Sequence, residues 1–359
     1  MIPGVLARYI GRRFLQTLVV ILAAVFLVIF LADYVELLRR FSDEQAFTPA
    51  TGIRLGLMRA PFLMETVLPF AFLFASLLSL LGLSRKLELV VARASGVSVW
   101  GFLAAPFALA IGLGVLSVLL LNPIAVRLNE SADALQAELS GSDRSRDAGL
   151  WFRQDGSDGP SIVHGTRSSE DGLTLYGVAA FLFEADGTFR LKITAPRADY
   201  TTGLWTMTNA TVRSASAAPQ AVPSFALPTT LSASEARQAT AQPDALSLWS
   251  LPEFIDTARR TGRNTDRFIL AFHTLLARPL FLLAMVTIAA TVSLRLSRYG
   301  GTWWLVLTGV GAGFLLYVLT DIVSDLGGNG IINPVLAAWA PSIIALTFGA
   351  TALLHLEDG

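Results

Sequence analysis

Six runs of apolar residues, each long enough to cross a bilayer, stand three and three around one polar stretch. No motif in the chain limits its fold as strongly. A hydrocarbon core takes about 20 apolar residues per helix, and Phe14 to Ala32, Ala60 to Leu83, Val97 to Val126, Phe268 to Leu294, Thr302 to Leu319 and Val335 to Leu356 satisfy that length. The layout predicts an α-helical polytopic membrane protein with six transmembrane helices and an inserted extracytoplasmic all-β, jelly-roll-like domain. Residues 1–128 hold the first three helices, 129–265 the insert and its helical connectors, and 266–359 the last three helices.

Composition agrees, because 53% hydrophobic and 15% charged residues, with a mean hydropathy of +0.58, lie far from a water-soluble globule. A net charge of zero argues neither for a nucleic-acid partner nor for a strongly acidic one, although the basic residues are almost all arginine, with Lys86 and Lys192 the two lysines. Cysteine is absent, which excludes disulfides, thiol catalysis and Cys-based metal sites. The first apolar run is too long for a signal-peptide core and lacks a cleavage site, so it reads as a retained helix. Arg8, Arg12 and Arg13, then Arg85, Lys86 and Arg93, then Arg295 and Arg298 fall on one side of the six spans. By the bias of basic residues toward cytoplasmic loops, both termini are expected in the cytoplasm. Arg39, Arg40 and Arg54 weaken that bias in the first outer loop, where Glu36, Asp43 and Glu44 balance them.

The insert changes character along its length. Asn129 to Leu139 extends the third span as a polar helix, and 140–149 is a charged, Ser-rich linker. Short β-prone segments follow at Leu150–Gln154, Ser161–Arg167, Leu173–Glu184, Phe189–Ala198, Trp205–Ser214 and Ser224–Ser232. Turn signals such as Asp155-Gly156, Asp158-Gly159-Pro160, Asp171-Gly172 and Asp186-Gly187 separate them. Even spacing suggests an antiparallel sandwich or jelly roll, with Ala215 to Pro223 a loose loop or an edge. After Pro243 the pattern turns helical: Ser250 can cap a helix that has Pro252 in its first turn and Glu253 at the capping-box position, ending near Gly262.

No catalytic arrangement is present. Gly-Lys does not occur, which removes a Walker-type phosphate loop, and HExxH, GxSxG and GxGD are missing. His164, His273 and His355 lie in different regions and read as structural or interfacial. Any active transport must draw its energy from another subunit or an ion gradient.

Partner-binding chemistry concentrates in Ser84 to Gly96, SRKLELVVARASG. At helical spacing Leu87, Val90, Val91 and Ala94 form one apolar stripe, Glu88, Ala92 and Ser95 take another face, and Gly96 can close the helix. The periodicity fits two readings equally: a short helix that plugs into a partner's groove, or a turn lying flat on the membrane with its basic residues on anionic headgroups.

This segment resembles the coupling helix of the LptF/LptG permease family, the membrane subunits of the bacterial lipopolysaccharide exporter. Gly4 to Gly11 (GVLARYIG) resembles the family's N-terminal interfacial helix, Pro61 and Pro69 fall in the second span, Gly149 to Gly156 (GLWFRQDG) opens the outer domain, and Asp244 to Leu248 (DALSL) leads out of it. GVLARYIG, ELVVARASG and GLWFRQDG are most similar to the LptG branch. The resemblance implies six spans around a periplasmic jelly roll in the bacterial inner membrane. It implies no enzyme activity and no cofactor bound by this chain, since ATP and Mg belong to a cytoplasmic ATPase, an LptB-like dimer. Further implied partners are an LptF-like permease, an LptC-like periplasmic protein met at the open β edge, and lipopolysaccharide itself.

By the same resemblance Glu88 pairs with a basic residue in the ATPase groove, and Arg85, Leu87, Val90 and Val91 dock around it. A second reading of Glu88 is that it stabilises the helix start through the dipole. The phosphates of lipid A call for arginines at the outer ends of the spans, which makes Arg39, Arg40, Arg54, Arg59 and Arg127 candidates. Arg39 and Arg40 also read as side chains snorkelling to headgroups. Asp33 and Phe62 stand where some relatives have Lys, and Glu130 and Asp133 where others have Arg. Polar residues inside spans need a partner or a purpose: Asp33, Glu65, Arg278 and Asp321, with Asp325, are expected at a gate or in pairs within the bundle. Gly309, Gly311 and Gly313 allow close helix approach. The rival readings are a membrane-anchored sensor or scaffold whose β domain binds a ligand, and an intramembrane enzyme, for which the spans offer no catalytic pair.

Overall fold

A computed structural model describes residues 3–41, 47–139, 150–156, 159–165, 167–168, 173–184, 187–214, 219–232, 243, 246–260, 265–294 and 302–358. The linker 140–149, Asp43, Glu44, Asp158, the Asp171-Gly172 turn, Asp186, Asp244, Gly262, Arg295 and Arg298, all used in the sequence reading, lie outside the described residues.

Six of the described helices are long and apolar enough to cross a membrane. They are α1 (Pro3–Arg40), α2 (Pro49–Arg85), the continuous run of α4 (Val99–Leu116), a π-helical turn (Ser117–Leu121) and α5 (Asn122–Leu139), then α7 (Asp266–Leu294), α8 (Thr302–Gly328) and α9 (Pro334–Asp358). Two shorter helices, α3 (Glu88–Ala94) and α6 (Leu251–Arg260), stand at opposite ends of the bundle. Each span covers its predicted apolar run, the third all but Val97 and Ser98; α7 and α9 match theirs closely, whereas α1 and α2 start well before theirs, at Pro3 and Pro49, and α8 continues past its run to Gly328. One difference is that α1 runs unbroken from Pro3, so the segment expected as a separate interfacial helix is its first turns. Nothing between Gly11 and Phe14 breaks the helix, and Ile10, Phe14 and Leu18 bury successive turns of one face.

Helix α2 is the axis of the bundle: 67% of its most apolar stretch is covered by the rest of the chain, against 11% for α1 and 17% for the fifth span. Thr48 caps its start, accepting the Thr51 N–H at 3.2 Å, with Pro49 as the first helical residue. Phe72 and Ala75 pack against Phe14 and Leu18 of α1 and Leu282 and Val286 of α7, while Leu73 and Leu77 meet Ala284, Met285 and Leu316. Gly309 and Gly313 of α8 lie against Leu77 and Leu73, whereas Gly311 faces open space. Helix α4 and α7 approach more closely still, since a Cβ on Gly114 would stand 2.7 Å from the Pro279 Cα. Ile10, Leu83, Leu89, Val99 and Leu353 share one cluster, which puts the two ends of the chain and α3 together, opposite the insert.

The insert is one antiparallel sheet in the order β1 (Leu150–Gly156), β2 (Gly159–Gly165), β4 (Thr174–Phe183), β5 (Phe189–Thr201), β6 (Leu204–Ser214), β7 (Gln220–Pro228), with β3 (Arg167–Ser168) beside β4. Its connectivity is a meander, because turns as short as Thr202-Gly203, with Gly203 at φ +78°, return each strand beside its predecessor. The roll comes from curl. Trp205 of β6 is fully buried and donates from Nε1 to Gln154 Oε1 of β1 at 3.1 Å, and Gly156 abuts the Pro228 carbonyl. The inward faces of all six main strands therefore close over one core that includes Phe152, Val163, Leu182, Ile193, Met207 and Leu227. Of Ala215 to Pro223, which reads as a loose loop or an edge, residues 215–218 lie outside the described residues and Gln220 to Pro223 begin edge strand β7, where Pro223 is tolerated because an edge has no second neighbour. Near the β5–β6 turn, Arg197 and Thr174 donate to Asp199 at 2.8–2.9 Å, which holds that carboxyl below the usual range.

The tight crossing of α4 and α7 gives a direct test. Gly114→Ala should lower the melting temperature in mild detergent by several degrees, an overpacking cost of about 1–3 kcal/mol. Gly112→Ala, two residues away with nothing within 4 Å, should leave it unchanged or slightly higher.

Candidate functional site

Helix α3 is built by two backbone devices. Leu87 takes φ +59° between α2 and α3, a left-handed conformation that a leucine adopts only at some cost. At the other end the Gly96 N–H bonds the Arg93 carbonyl and the Val97 N–H the Ala92 carbonyl, with Gly96 at φ +83°. That pairing is a Schellman stop, and it places the helix end where the sequence reading expected it. Leu89 and Ala92 bury against the bundle, while Leu87, Val90 and Val91 are 61, 45 and 67% exposed. All four residues of the predicted apolar stripe, Ala94 included, are thus turned outward, with Arg85 exposed beside them.

Glu88 sits in the first turn of α3 and pairs with Arg13 of α1, whose Nη1 lies 3.3 Å from Oε1. Gly82 clears the way: a Cβ there would meet the Arg13 guanidinium at 3.1 Å. Both charges are partly exposed, so the pair contributes little to stability but fixes where the carboxylate points. The sequence reading counted Arg13 only toward orientation. Its role was not legible, because the pair joins residues 75 apart.

At the insert end, Arg59 lies 2.9 Å from Asp33, with side chains 13 and 10% exposed. Two candidates from different lists, one for phosphate and one for a gate, therefore form one ion pair between α1 and α2. Arg39, Arg54 and Arg127 are exposed. The ends of α1, α2 and α5 that carry them pack together around Leu37, Phe41, Leu55 and Ala132. Of Arg40 only the backbone, at the last turn of α1, is described.

Inside the bundle, Glu65 is 7% exposed and gathers three segments. Arg278 Nη1 of α7 lies 3.0 Å from its Oε2, Asn122 Nδ2 of α5 donates to the same oxygen at 3.1 Å, and the Leu248 N–H donates to Asn122 Oδ1 at 3.1 Å. The polypeptide returning from the β domain is thus tied to the membrane helices through one carboxamide. Leu248 and Leu251 also pack on Val118 and Phe268. Asn122 reaches this position through the π-helical turn, in which its N–H bonds the Ser117 carbonyl. A wider turn also accommodates the ring of Pro123, which a regular helix would drive into the carbonyl four residues earlier. The sequence signal was present as an Asn-Pro dipeptide in an apolar span, and the sequence reading passed over it.

Beside this network lies a cavity of about 650 Å³ between α2, α7, α8 and α9, in the half of the bundle nearer the insert. Glu65, Arg278, Arg267, Asp321 and Asp325 line it, with Thr66, Thr274, Thr320 and Ser324 among the hydroxyls and Phe62, Leu270, Phe281 and Tyr317 among the apolar walls. The histidines do not converge: His164 stacks on Trp151 in the sheet, His273 Nδ1 accepts from Trp339 Nε1 at 3.3 Å, and His355 is exposed near the end of α9.

A family model described as lipopolysaccharide export system permease LptF/LptG matches residues 8–355. The lipopolysaccharide export system permease protein LptG of Escherichia coli K12 is 25% identical over 348 residues, covering 94% of this chain and 95% of that protein. The protein of the same name from Haemophilus influenzae Rd is 25% identical over 349 residues, with the same coverage of both chains.

Asn122→Ala leaves a buried backbone N–H and a buried carboxylate each short of a partner. It should destabilise the protein by about 2–4 kcal/mol and raise hydrogen exchange at Leu248.

Proposed function

This chain belongs to the lipopolysaccharide export permease LptF/LptG family, and on that premise we propose that it is the LptG-like permease subunit of an ATP-driven lipopolysaccharide exporter. It would take lipopolysaccharide from the outer leaflet of the inner membrane and pass it to a periplasmic β bridge. The observation that carries the coupling half of this reading is the outward apolar face of α3. Leu87, Val90 and Val91 are too exposed to be core residues, and a Glu88 oriented by Arg13 stands at the first turn beside them. A groove on an LptB-like ATPase dimer, with a basic residue for Glu88, fits that face. Nucleotide and Mg would be bound there, none by this chain.

Six spans and the family relation make the chain a multi-pass protein of the inner membrane. Basic loops at the α3 end support cytoplasmic termini, with the β domain in the periplasm. The least covered helices are the first and fifth, the two that in this family line the openings between paired subunits. Their bare apolar faces, including Val20, Val28 and Val35 on α1 and Phe314, Leu315 and Ile322 on α8, support pairing with an LptF-like permease around a lipid cavity. Arg39, Arg40, Arg54 and Arg127 would then meet lipid A phosphates at its rim. Arg59 would take part by exchanging Asp33 for a phosphate. The sheet ends in two strands, β1 and β7, with one neighbour each, and either edge can add a strand from an LptC-like protein.

Val91→Glu and Glu88→Lys test the docking face. Each should abolish co-purification of an ATPase and reduce lipopolysaccharide release from proteoliposomes by at least about tenfold, an effect of roughly 1.4 kcal/mol or more. Val91→Glu, on an exposed side chain, should leave the melting temperature unchanged. An intact complex with full release in both variants would refute the docking role.

A further inference from the structure

The outer face of the β domain carries a row of cations that the fold does not neutralise. Strand register sets Arg153 of β1, Ile162 of β2, Phe181 of β4, Lys192 of β5 and Arg213 of β6 side by side. Their chain neighbours Phe152, Val163, Leu182 and Ile193 belong to the core, so the row faces away from it. Elsewhere on this face the charges are answered: Arg190 pairs with Glu184 at 3.6 Å and Arg197 with Asp199 at 2.8 Å. Arg153, Lys192 and Arg213 form no ion pair among the described residues. Lys192 and Arg213 also stand directly opposite each other on adjacent strands, a like-charge pairing that destabilises a sheet. An anion seated between them would turn that repulsion into attraction.

An aromatic surface adjoins the row and positions part of it. Lys192 Nζ lies 5.1 Å from the centre of the Phe181 ring, Phe181 stacks on Trp151 at 6.0 Å, and Trp151 rests on His164 at 4.3 Å. Trp151 nevertheless stays 61% exposed, so a broad ring face remains open beside the cations. Ala179, Thr194 and Thr211, in register with each other, give the sheet a floor of short side chains next to the row. A flat ring flanked by cations suits an anionic sugar, whose C–H face packs on the ring and whose phosphate accepts from Lys and Arg. The row crosses four strand spacings, about 19 Å, which calls for a ligand with several charges along its length. Lys192 and Arg213 stand on strands with both edges already paired, so a peptide cannot add there as a strand. We propose that this face binds the phosphorylated sugars of the cargo beyond lipid A, with a phosphate between Lys192 and Arg213 and a sugar ring on Trp151. The proposal rests on the exporter reading, under which the cargo is a glycolipid whose acyl chains belong with apolar surface and whose sugars need a polar one.

The test is calorimetric titration of the full chain, with any subunits that co-purify, in phosphatidylcholine nanodiscs. The probe is the core oligosaccharide of lipopolysaccharide freed of lipid A, with its phosphates and after their removal. The phosphorylated form should bind at least about tenfold tighter than the stripped form, and the combined variant Lys192→Gln, Arg213→Gln should lose that preference. Trp151→Ala should weaken binding by about threefold or more. Arg190→Gln, whose charge Glu184 already answers, should stay within about twofold of the native chain. The combined variant should keep or raise the melting temperature, because it removes a repulsion, so lost binding cannot be ascribed to misfolding. Equal affinity for both saccharides, tighter binding of polyglutamate or of phosphatidylglycerol vesicles, or affinity untouched by the combined variant would overturn the proposal. ATPase co-purification and lipopolysaccharide release are read on the same preparations. Saccharide binding without either would sink the exporter reading and leave this site standing, whereas both without saccharide binding would do the reverse.

Discussion

A carboxylate in the middle of the most deeply covered helix must be answered from within the protein, and the arrangement around Glu65 follows from that need. Hydrocarbon supplies no hydrogen bonds, so the charge draws Arg278 from α7 and Asn122 from α5 onto α2. Asn122 in turn takes up the backbone of Leu248, where the chain re-enters the bundle from the β domain. Apolar contacts alone would let these segments slide, because one methyl packs much like another against lipid-like surroundings. Directed bonds to a single carboxylate set the rotation of three helices and the point at which the soluble domain is anchored.

The opposite end of the bundle obeys a similar economy with different means. There α2 has to stop, turn and present a short helix without losing contact with the spans. Leu87 in a left-handed conformation makes the break, Leu89 and Ala92 hold α3 down, and the Arg13–Glu88 pair ties it to α1. Any force applied to the exposed face of α3 is therefore felt by both α1 and α2. Since α2 also carries Glu65, one continuous helix connects the exposed face of α3 to the cavity and to the return of the β domain.

Much of this was legible in the sequence, and the misses share a cause. Hydropathy located the spans because lipid imposes a length on each one, and turn residues located most strands because Asp-Gly and similar pairs fix local dihedrals. Gly96 was readable as a helix stop for the same local reason. What escaped were pairings across long separations: Arg13 with Glu88, Asp33 with Arg59, Glu65 with Arg278. Each partner was visible as a polar residue in an apolar or interfacial context, but nothing in a one-dimensional pattern says which of several charges will meet. The curl of the sheet was hidden likewise, since Trp205 over Gln154 is a contact between strands distant in order, whereas a meander's neighbours are set by its turns. The start of α1 has another cause: Gly4 to Gly11 resembles an interfacial helix, and burial of Ile10 and Phe14 on one face carries that segment unbroken into the span.

The π-helical turn at Ser117–Leu121 holds one residue more than a regular helix would use over the same rise. A residue corresponds to about 100° of rotation, so the halves of this span before and after the turn are indexed separately, like two shafts joined by a clutch set one tooth on. Gly114, upstream, answers to Pro279; Asn122, downstream, answers to Glu65 and Leu248. Relaxing the turn to a plain α-helix would keep the first engagement and swing the second out of reach. The anchorage of the β domain to the membrane helices therefore depends on a phase offset within one helix, set some distance from the sheet it holds.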